Sequence, residues 1–446
     1  MKLVYLTLSA LLNVFISGWV QAQSLPEAVA IALSQYPTIL AAQANQQAAE
    51  SEVTRAQGAH WPQVSWTGTY TNYNTGSVPN TWIQSPTVSL NLWSGGRIQA
   101  DVDRARAQVD ASKYAVIITR DQVAQLAVQG YLNWARSQEL ERSARENYAA
   151  HQKLHALVSK IVEADPGRSV DLEQVRGRLA GAQLALEQNK AGLAVALERV
   201  RRMLLGAMPQ SPSGIDFVPA QVPASLEVAL SYLGDTNPII AQQLTTLAVA
   251  RANLASAKSQ HAPQINTTYG KQTFQGTAQG DYVAQLVLTV PIFQGGAAYG
   301  ATQSASAQLE AAEYSLKETR INLEENLRAN WISWMNAQER FKVADQQMAH
   351  GAKTLSGYWQ QYQVSRRQIL ELLNAQNEVF SSEVNKISAR FDVLNFRTAV
   401  LANLGRLASG YSGLVQKAEA GALANQASTK ASTSGTSNVF SVKSGP

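Results

Sequence analysis

The chain has 446 residues, a formal net charge of +5, only 15% charged residues and no cysteine. Disulfides, thiolate nucleophiles and cysteine metal sites are therefore excluded, and the scattered charge offers no basic tract interleaved with aromatics for a nucleic-acid surface. Hydrophobic residues reach 45%, largely through alanine, a composition that suits long, closely packed helices better than a thick globular core.

The first residues, MKLVYLTLSALLNVFISGWVQAQS, begin with Lys2, run apolar from Leu3 to Ile16 and end in small or permissive residues. This reads as a secretory signal over residues 1–22, cleaved after Ala22. The apolar run is shorter than the roughly 20 residues an anchoring helix needs, and no later stretch approaches one.

An internal repeat follows. SLPEAVAIALSQYPTI from Ser24 returns as SLEVALSYLGDTNPII from Ser225, GAHWPQV as SQHAPQI, and YLNWARSQE as WISWMNAQE, which pairs Trp134 with Trp334. The offset stays near 200 residues, so two copies of one unit are expected, over 23–206 and 225–415. Each begins with a short helix. The Pro- and Gly-rich residues 207–224 read as a linker, and the Lys-, Ala-, Ser- and Gly-rich residues 416–446 as a disordered tail.

After the first helix, Val64, Trp66 and Tyr70 alternate with Ser65, Thr67, Thr69 and Thr71, and Val88, Leu90 and Leu92 alternate with Thr87, Ser89 and Asn91. Period two predicts two half-buried strands joined by a polar loop. In the second repeat Ile265 and Tyr269 oppose Asn266, Thr268 and Gln272, and Ala284, Leu286, Leu288 and Val290 oppose a mixed face. Trp82, Trp93 and Phe293 fall near strand ends, as interfacial aromatics do in a membrane barrel, although Lys271 falls on the apolar parity. Such strands either lie on a soluble core or span a membrane. If they span, four per chain is too few to close a barrel, because an open edge leaves backbone groups unpaired in lipid, so several chains must share one.

VSLNLWSGGR and VLTVPIFQGG place Gly95, Gly96, Gly295 and Gly296 where strand becomes helix. Beyond them, about 97–164 and 297–364 contain no proline and predict helices of roughly 100 Å. Second helices follow, with Leu172, Val175, Leu179, Ala182, Leu186, Asn189 and Leu193, and Phe380, Val384, Ile387, Phe391, Leu394, Thr398 and Leu401, stepping by three and four in coiled-coil fashion. The breaks are EADPGRSVDLEQ, in which Ser169 can cap the next helix, and YQVSRRQILELL.

These residues resemble the TolC family of outer-membrane factors from Ser24 to about Tyr411. The duplicated start, the LWSGGR and IFQGGA turns, and the SVDLEQVRGRL and QILELLNAQNEV segments carry the likeness. The resemblance implies a mainly α fold, with long coiled-coil hairpins forming a tunnel and four strands per chain contributing to a transmembrane β-barrel shared by a homotrimer. It further implies an outer-membrane channel extending into the periplasm, with outer-membrane lipid around the barrel. Its partners would be a periplasmic adaptor (a membrane fusion protein) and an inner-membrane ABC or RND transporter.

Asp171, Tyr362, Arg367 and Glu371 match the family's gate, whereas Asn374 replaces its second acid. Ala164, Asp165, Pro166, Val364, Ser365 and Arg366 match the tip loops that meet the adaptor, where many relatives carry Gly in place of Asp165 and Ser365. The wording ADPGRSVDLEQVRGRLA is similar to the branch serving type I secretion of adhesins, which favours that cargo over drugs. No cofactor is implied.

An enzyme is disfavoured, because the sequence lacks a Walker loop, GxSxG and HExxH. His151 and His155 stand four apart on a predicted helix without an evident third ligand, so no metal site is assigned. His60 and His261 are repeat equivalents at helix-to-strand junctions, which a structural role explains. The remaining alternative is a soluble periplasmic coiled-coil adaptor or scaffold.

Overall fold

The computed structural model describes residues 24–72, 81–206, 211–217, 219–273 and 280–416. The signal segment and, beyond Gln416, the tail lie outside the described residues, as do linker positions 207–210 and 218. In chain order the elements are α1 (Leu25–Gln35), α2 (Pro37–Gly58), β1 (Gln63–Thr71), β2 (Thr81–Trp93), α3 (Arg97–Ala164), a 3₁₀ turn (Pro166–Arg168) and α4 (Ser169–Met203). The second repeat gives α5 (Leu226–Ser231), α6 (Pro238–Ser259), β3 (Gln264–Thr273), β4 (Gly280–Thr289), α7 (Ala297–Gln363) and α8 (Ile369–Asn403). A second 3₁₀ turn, Ala408–Tyr411, follows.

The opening of each repeat holds two helices rather than the expected one. Tyr36 is extended, and Pro37 starts α2 at a position where its missing N–H costs nothing. In the second copy Asn237 caps α6 by accepting the Ile239 N–H at 3.0 Å.

Contacts divide the chain into two units that cut across the repeats: residues 1–39, 120–231 and 325–446, and residues 40–119 and 232–324. The second unit holds one antiparallel sheet in the order β1-β2-β3-β4. Its register places Val64 opposite Val88, Tyr70 opposite Trp82, Val88 opposite Tyr269, Ile265 opposite Leu288 and Lys271 opposite Tyr282. One face is thus apolar and aromatic, with Lys271 upon it. The other carries Ser65, Thr67, Ser89, Asn91, Asn266 and Thr268, and Asn91 donates to Asn266 across it at 2.7 Å.

Two strand-end expectations change. A register shift between Asn91 and Trp93 leaves Leu92 as an extra residue and brings Trp93, not Leu92, opposite Ile265, as a β-bulge does. Phe293 lies beyond the end of β4 and is 85% exposed.

At the strand-to-helix bends all four predicted glycines have positive φ: 62° and 88° at Gly95 and Gly96, and 59° and 84° at Gly295 and Gly296. Only glycine takes this conformation without a Cβ penalty. The Ser94 hydroxyl then accepts the Ile98 N–H at 3.2 Å, opening α3.

In the first unit, α1 buries Leu25, Val29 and Leu33 against Tyr131 and Leu132 of α3, Val200 of α4, Phe391 and Leu401 of α8, and Tyr411. The linker and the C-terminal segment are tied to the same core. Tyr131 exchanges hydrogen bonds with the backbone of Ser213 at 3.0 and 3.2 Å, and the Asp121 carboxylate accepts the Ala408 N–H at 2.6 Å. Farther along, α3 and α8 are joined by a polar ladder. Arg136 meets Ser388 at 2.9 Å, Glu139 meets Arg390 at 3.2 Å, Ser143 meets Glu383 at 2.8 Å and Asn147 meets Gln376 at 3.2 Å. On α3, steps of three and four keep Arg136, Glu139, Ser143 and Asn147 on one helix face.

Candidate functional site

The ladder gives way to an apolar cluster of Leu154, Val158, Val175, Tyr362, Ile369, Leu372 and Leu373. This cluster carries the two turns at which the long helices reverse. Below it, His151 is buried with its Nδ1 unpartnered, and burial first, then the Arg178 charge, lowers its pKa. His155 is half-buried, and the described residues contain no group of three or more His, Cys, Asp or Glu able to hold a metal.

The first turn is built by Asp165, whose carboxylate accepts the Gly167 N–H at 3.2 Å and so caps the 3₁₀ turn. Ser169 is the first residue of α4 rather than its cap: the N-cap position is Arg168, which makes no side-chain capping bond, and the capping side chain of this turn is Asp165, on the 3₁₀ turn. Pro166 cannot continue α3, and the 3₁₀ turn carries the chain into α4. Arg168 donates through two nitrogens to one Asp171 oxygen, at 2.9 and 2.8 Å.

The second turn is a Schellman motif. The Ser365 N–H donates to the Tyr362 carbonyl and the Arg366 N–H to the Gln361 carbonyl, each at 2.9 Å, while Ser365 sits at φ 56°. Glycine is the usual residue there because it has no Cβ to clash. Arg367 then donates to Gln361 Oε1 at 2.7 Å, pairs with Glu371, and lays its guanidinium 4.3 Å from the Tyr358 ring centroid. A cation over an aromatic face is held electrostatically as well as sterically.

Within one chain the four gate candidates therefore form two groups. Asp171 is engaged by Arg168, and Arg367 by Glu371. Tyr362 lies beside the first group: its hydroxyl is buried without an aligned partner, and burial raises its pKa, with Arg168 opposing and Asp171 reinforcing that shift. Arg178 bridges α4 to α8 through Asn374 at 3.0 Å, so the residue standing in place of a second acid is a hydrogen-bond acceptor. The adaptor-contact candidates Ala164, Asp165, Pro166, Val364, Ser365 and Arg366 are all exposed.

Sequence reading missed Arg168, Tyr358, Gln361 and Arg178. The three-residue spacing of Arg168 and Asp171 was a readable signal, whereas Gln361 is recruited only by the shape of the turn.

A family model described as "Outer membrane efflux protein" matches the chain twice, at residues 28–206 and 230–406. Outer membrane efflux protein BepC of Brucella suis is 22% identical over 376 residues, covering 82% of this chain and 81% of that protein. Outer membrane protein TolC of Vibrio cholerae is 23% identical over 426 residues, covering 90% and 95%. Among solved structures, the CusC channel superposes with a TM-score of 0.76 at 19% identity, covering 87% of this chain and 94% of that one.

Proposed function

Because the chain belongs to the outer membrane efflux protein family, whose members export through an outer-membrane channel, we propose that three copies close one barrel there and gate a periplasmic tunnel at the two turns. The observation that carries this reading is the sheet. One face is apolar and exposed, with Val64 at 78%, Trp66 at 63% and Leu288 at 62%, while the other is mostly Thr, Ser, Asn and Gln, with Ile83, Val283 and Val287 among them. Lipid outside and water inside suit that pattern. Four strands from each of three copies make a barrel with a lumen, whereas two copies would give an interior filled by side chains. A soluble scaffold would leave the apolar face without a cover. Among the described residues no helix is long and apolar enough to cross a membrane, and a barrel needs none.

On this reading Glu371 of each copy converges towards the axis and favours cations at the constriction, and Arg367 holds the second turn closed. The exposed tip residues, from Ala164 to Pro166 and from Val364 to Arg366, meet a periplasmic adaptor, which couples the channel to an inner-membrane ABC or RND transporter. Residues 164–180 favour a secreted protein as cargo. The name of the matching family favours small compounds. Deleting the gene separates the two: loss of a surface protein supports the first, and sensitivity to toxic compounds supports the second.

Planar-bilayer conductance of the purified oligomer tests the gate. Wild type should conduct weakly, Arg367→Ala should conduct more, and Glu371→Ala should lose cation preference. A wide pore indifferent to both changes would remove the gate assignment and leave the barrel standing.

A further inference from the structure

The strand regions are almost free of charge. Across residues 60–96 and 261–296, which span both strand pairs, Lys271 and Asp281 are the only Lys, Arg, Asp or Glu residues. Their register separates them: Lys271 stands opposite Tyr282 on the apolar face, whereas Asp281 stands opposite Gln272 on the polar one. Because successive side chains of a strand point to opposite faces, the sheet itself lies between the two charges. Lys271 therefore has no carboxylate on its own face. A neighbouring copy, with the same sequence, can supply none from its strands either.

Duplication shows that this lysine replaces an aromatic residue. With Pro62 aligned to Pro263, Tyr70 corresponds to Lys271 and Gly68 to Tyr269, while Trp82 corresponds to Tyr282 at the offset of the bend glycines. In the first repeat Tyr70 lies opposite Trp82, with ring centroids 6.3 Å apart. In the second, a cation takes the place of the first ring, and Tyr269 stacks on Tyr282 at 5.7 Å with 19° between the planes. Both clusters sit at the strand ends remote from the glycine bends, since Tyr70 is next to last in β1 and Lys271 is two residues from the end of β3. With the helices on the periplasmic side, those ends reach the outer leaflet.

A lysine on a lipid-facing surface is best tolerated at the interface, where its stem lies on apolar surface and its ammonium reaches the headgroups. Tyrosine, apolar in its ring and polar at its tip, suits the same depth. An ammonium offers three donors and no acceptor, which fits the oxygens of a phosphate group. The geometry points to a lipid site: Lys271, flanked by Tyr269 and Tyr282, binds a phosphate of the phosphorylated glycolipid that forms the outer leaflet, once per copy and three times around the barrel. This deepens the shared-barrel reading and rests on it.

The purified oligomer, freed of lipid by detergent exchange, is mixed with diphosphoryl lipid A, dephosphorylated lipid A or phosphatidylglycerol, and the bound lipid is counted by native mass spectrometry. Wild type should take up to three molecules of the diphosphoryl form and bind it about tenfold more tightly than the dephosphorylated one, as a charge-assisted contact does. Lys271→Arg should keep that preference. Lys271→Tyr installs the residue that the first repeat already carries at this place, and should lose it. A preference unchanged in Lys271→Tyr would overturn the assignment. So would phosphatidylglycerol bound as tightly as diphosphoryl lipid A, or displacement by an equal concentration of inorganic phosphate, which would mark a free-anion site. Wild type recovered as single chains in the soluble periplasm would overturn the barrel reading instead.

Discussion

At the scale of single residues, two side chains occupy backbone positions that favour glycine. Ser365 has φ 56° and Leu205 φ 52°. Leu205 closes α4 with the bonds that Gly405, its equivalent 200 positions later, makes after α8: Leu205 to Arg202 and Gly206 to Arg201, against Gly405 to Ala402 and Arg406 to Leu401. Leu205→Gly and Ser365→Gly should each stabilise by about 0.5–1 kcal/mol, the strain removed exceeding the entropy glycine adds to the unfolded chain. Thermal melts check the first change, and amide exchange at the tip the second.

Asp121 makes the other residue-scale prediction. Burial pushes its carboxyl up to about 6, against the pull of the Ala408 and Leu407 N–H groups. A carboxyl whose pKa is raised on folding favours the fold below its ordinary value and loses that contribution as pH rises through the folded value. The buried charge therefore costs stability above pH 6, on the order of 3 kcal/mol. Asp121→Asn keeps an acceptor for Ala408 and removes the charge. Its melting temperature should exceed wild type at pH 8 and converge with it near pH 4; an equal difference at both would refute the buried-charge account.

At the scale of elements, the sequence alone carries much of the architecture. Helix bounds near 97, 164, 297 and 364 follow from proline-free periodic stretches, and the glycine pairs mark bends that require positive φ. What escaped depends on geometry that periodicity does not carry. Strict alternation cannot register the extra residue at Leu92, and capping rules point to Ser169, which the intervening 3₁₀ turn, capped by Asp165, instead makes the first residue of α4. The gate residues were legible as positions, but their partners were not, since Arg168 and Gln361 are selected by how each turn folds.

The bends themselves carry a prediction. A Cβ at Gly95 would collide with Ala262, while one at Gly295 meets nothing within its own chain. Both have positive φ, worth roughly 1 kcal/mol to any other residue, so Gly95→Ala should be the more damaging change to the chain's own fold. Protease resistance of the chain held as a monomer in detergent measures this, and equal losses for the two variants would contradict it.

At the scale of the whole molecule, the duplication fixes how an open sheet closes. Edges β1 and β4 are unpaired within one chain, which lipid does not tolerate. The β2–β3 seam, where Ser89 faces Thr268, is the template for the β4–β1 seam between copies. Ser89 corresponds to Thr289, and Thr268 to Thr67 because Pro62 aligns with Pro263. Thr289 of one copy should therefore lie opposite Thr67 of the next, both on the polar face, close enough for a disulfide between strands. In a chain without other cysteines, Thr67→Cys with Thr289→Cys should give covalent trimers under oxidation. Moving either cysteine by one residue turns its side chain to the opposite face and should abolish them. Cross-linking that peaks at a shifted pair would mean the seam between copies does not repeat the seam within one.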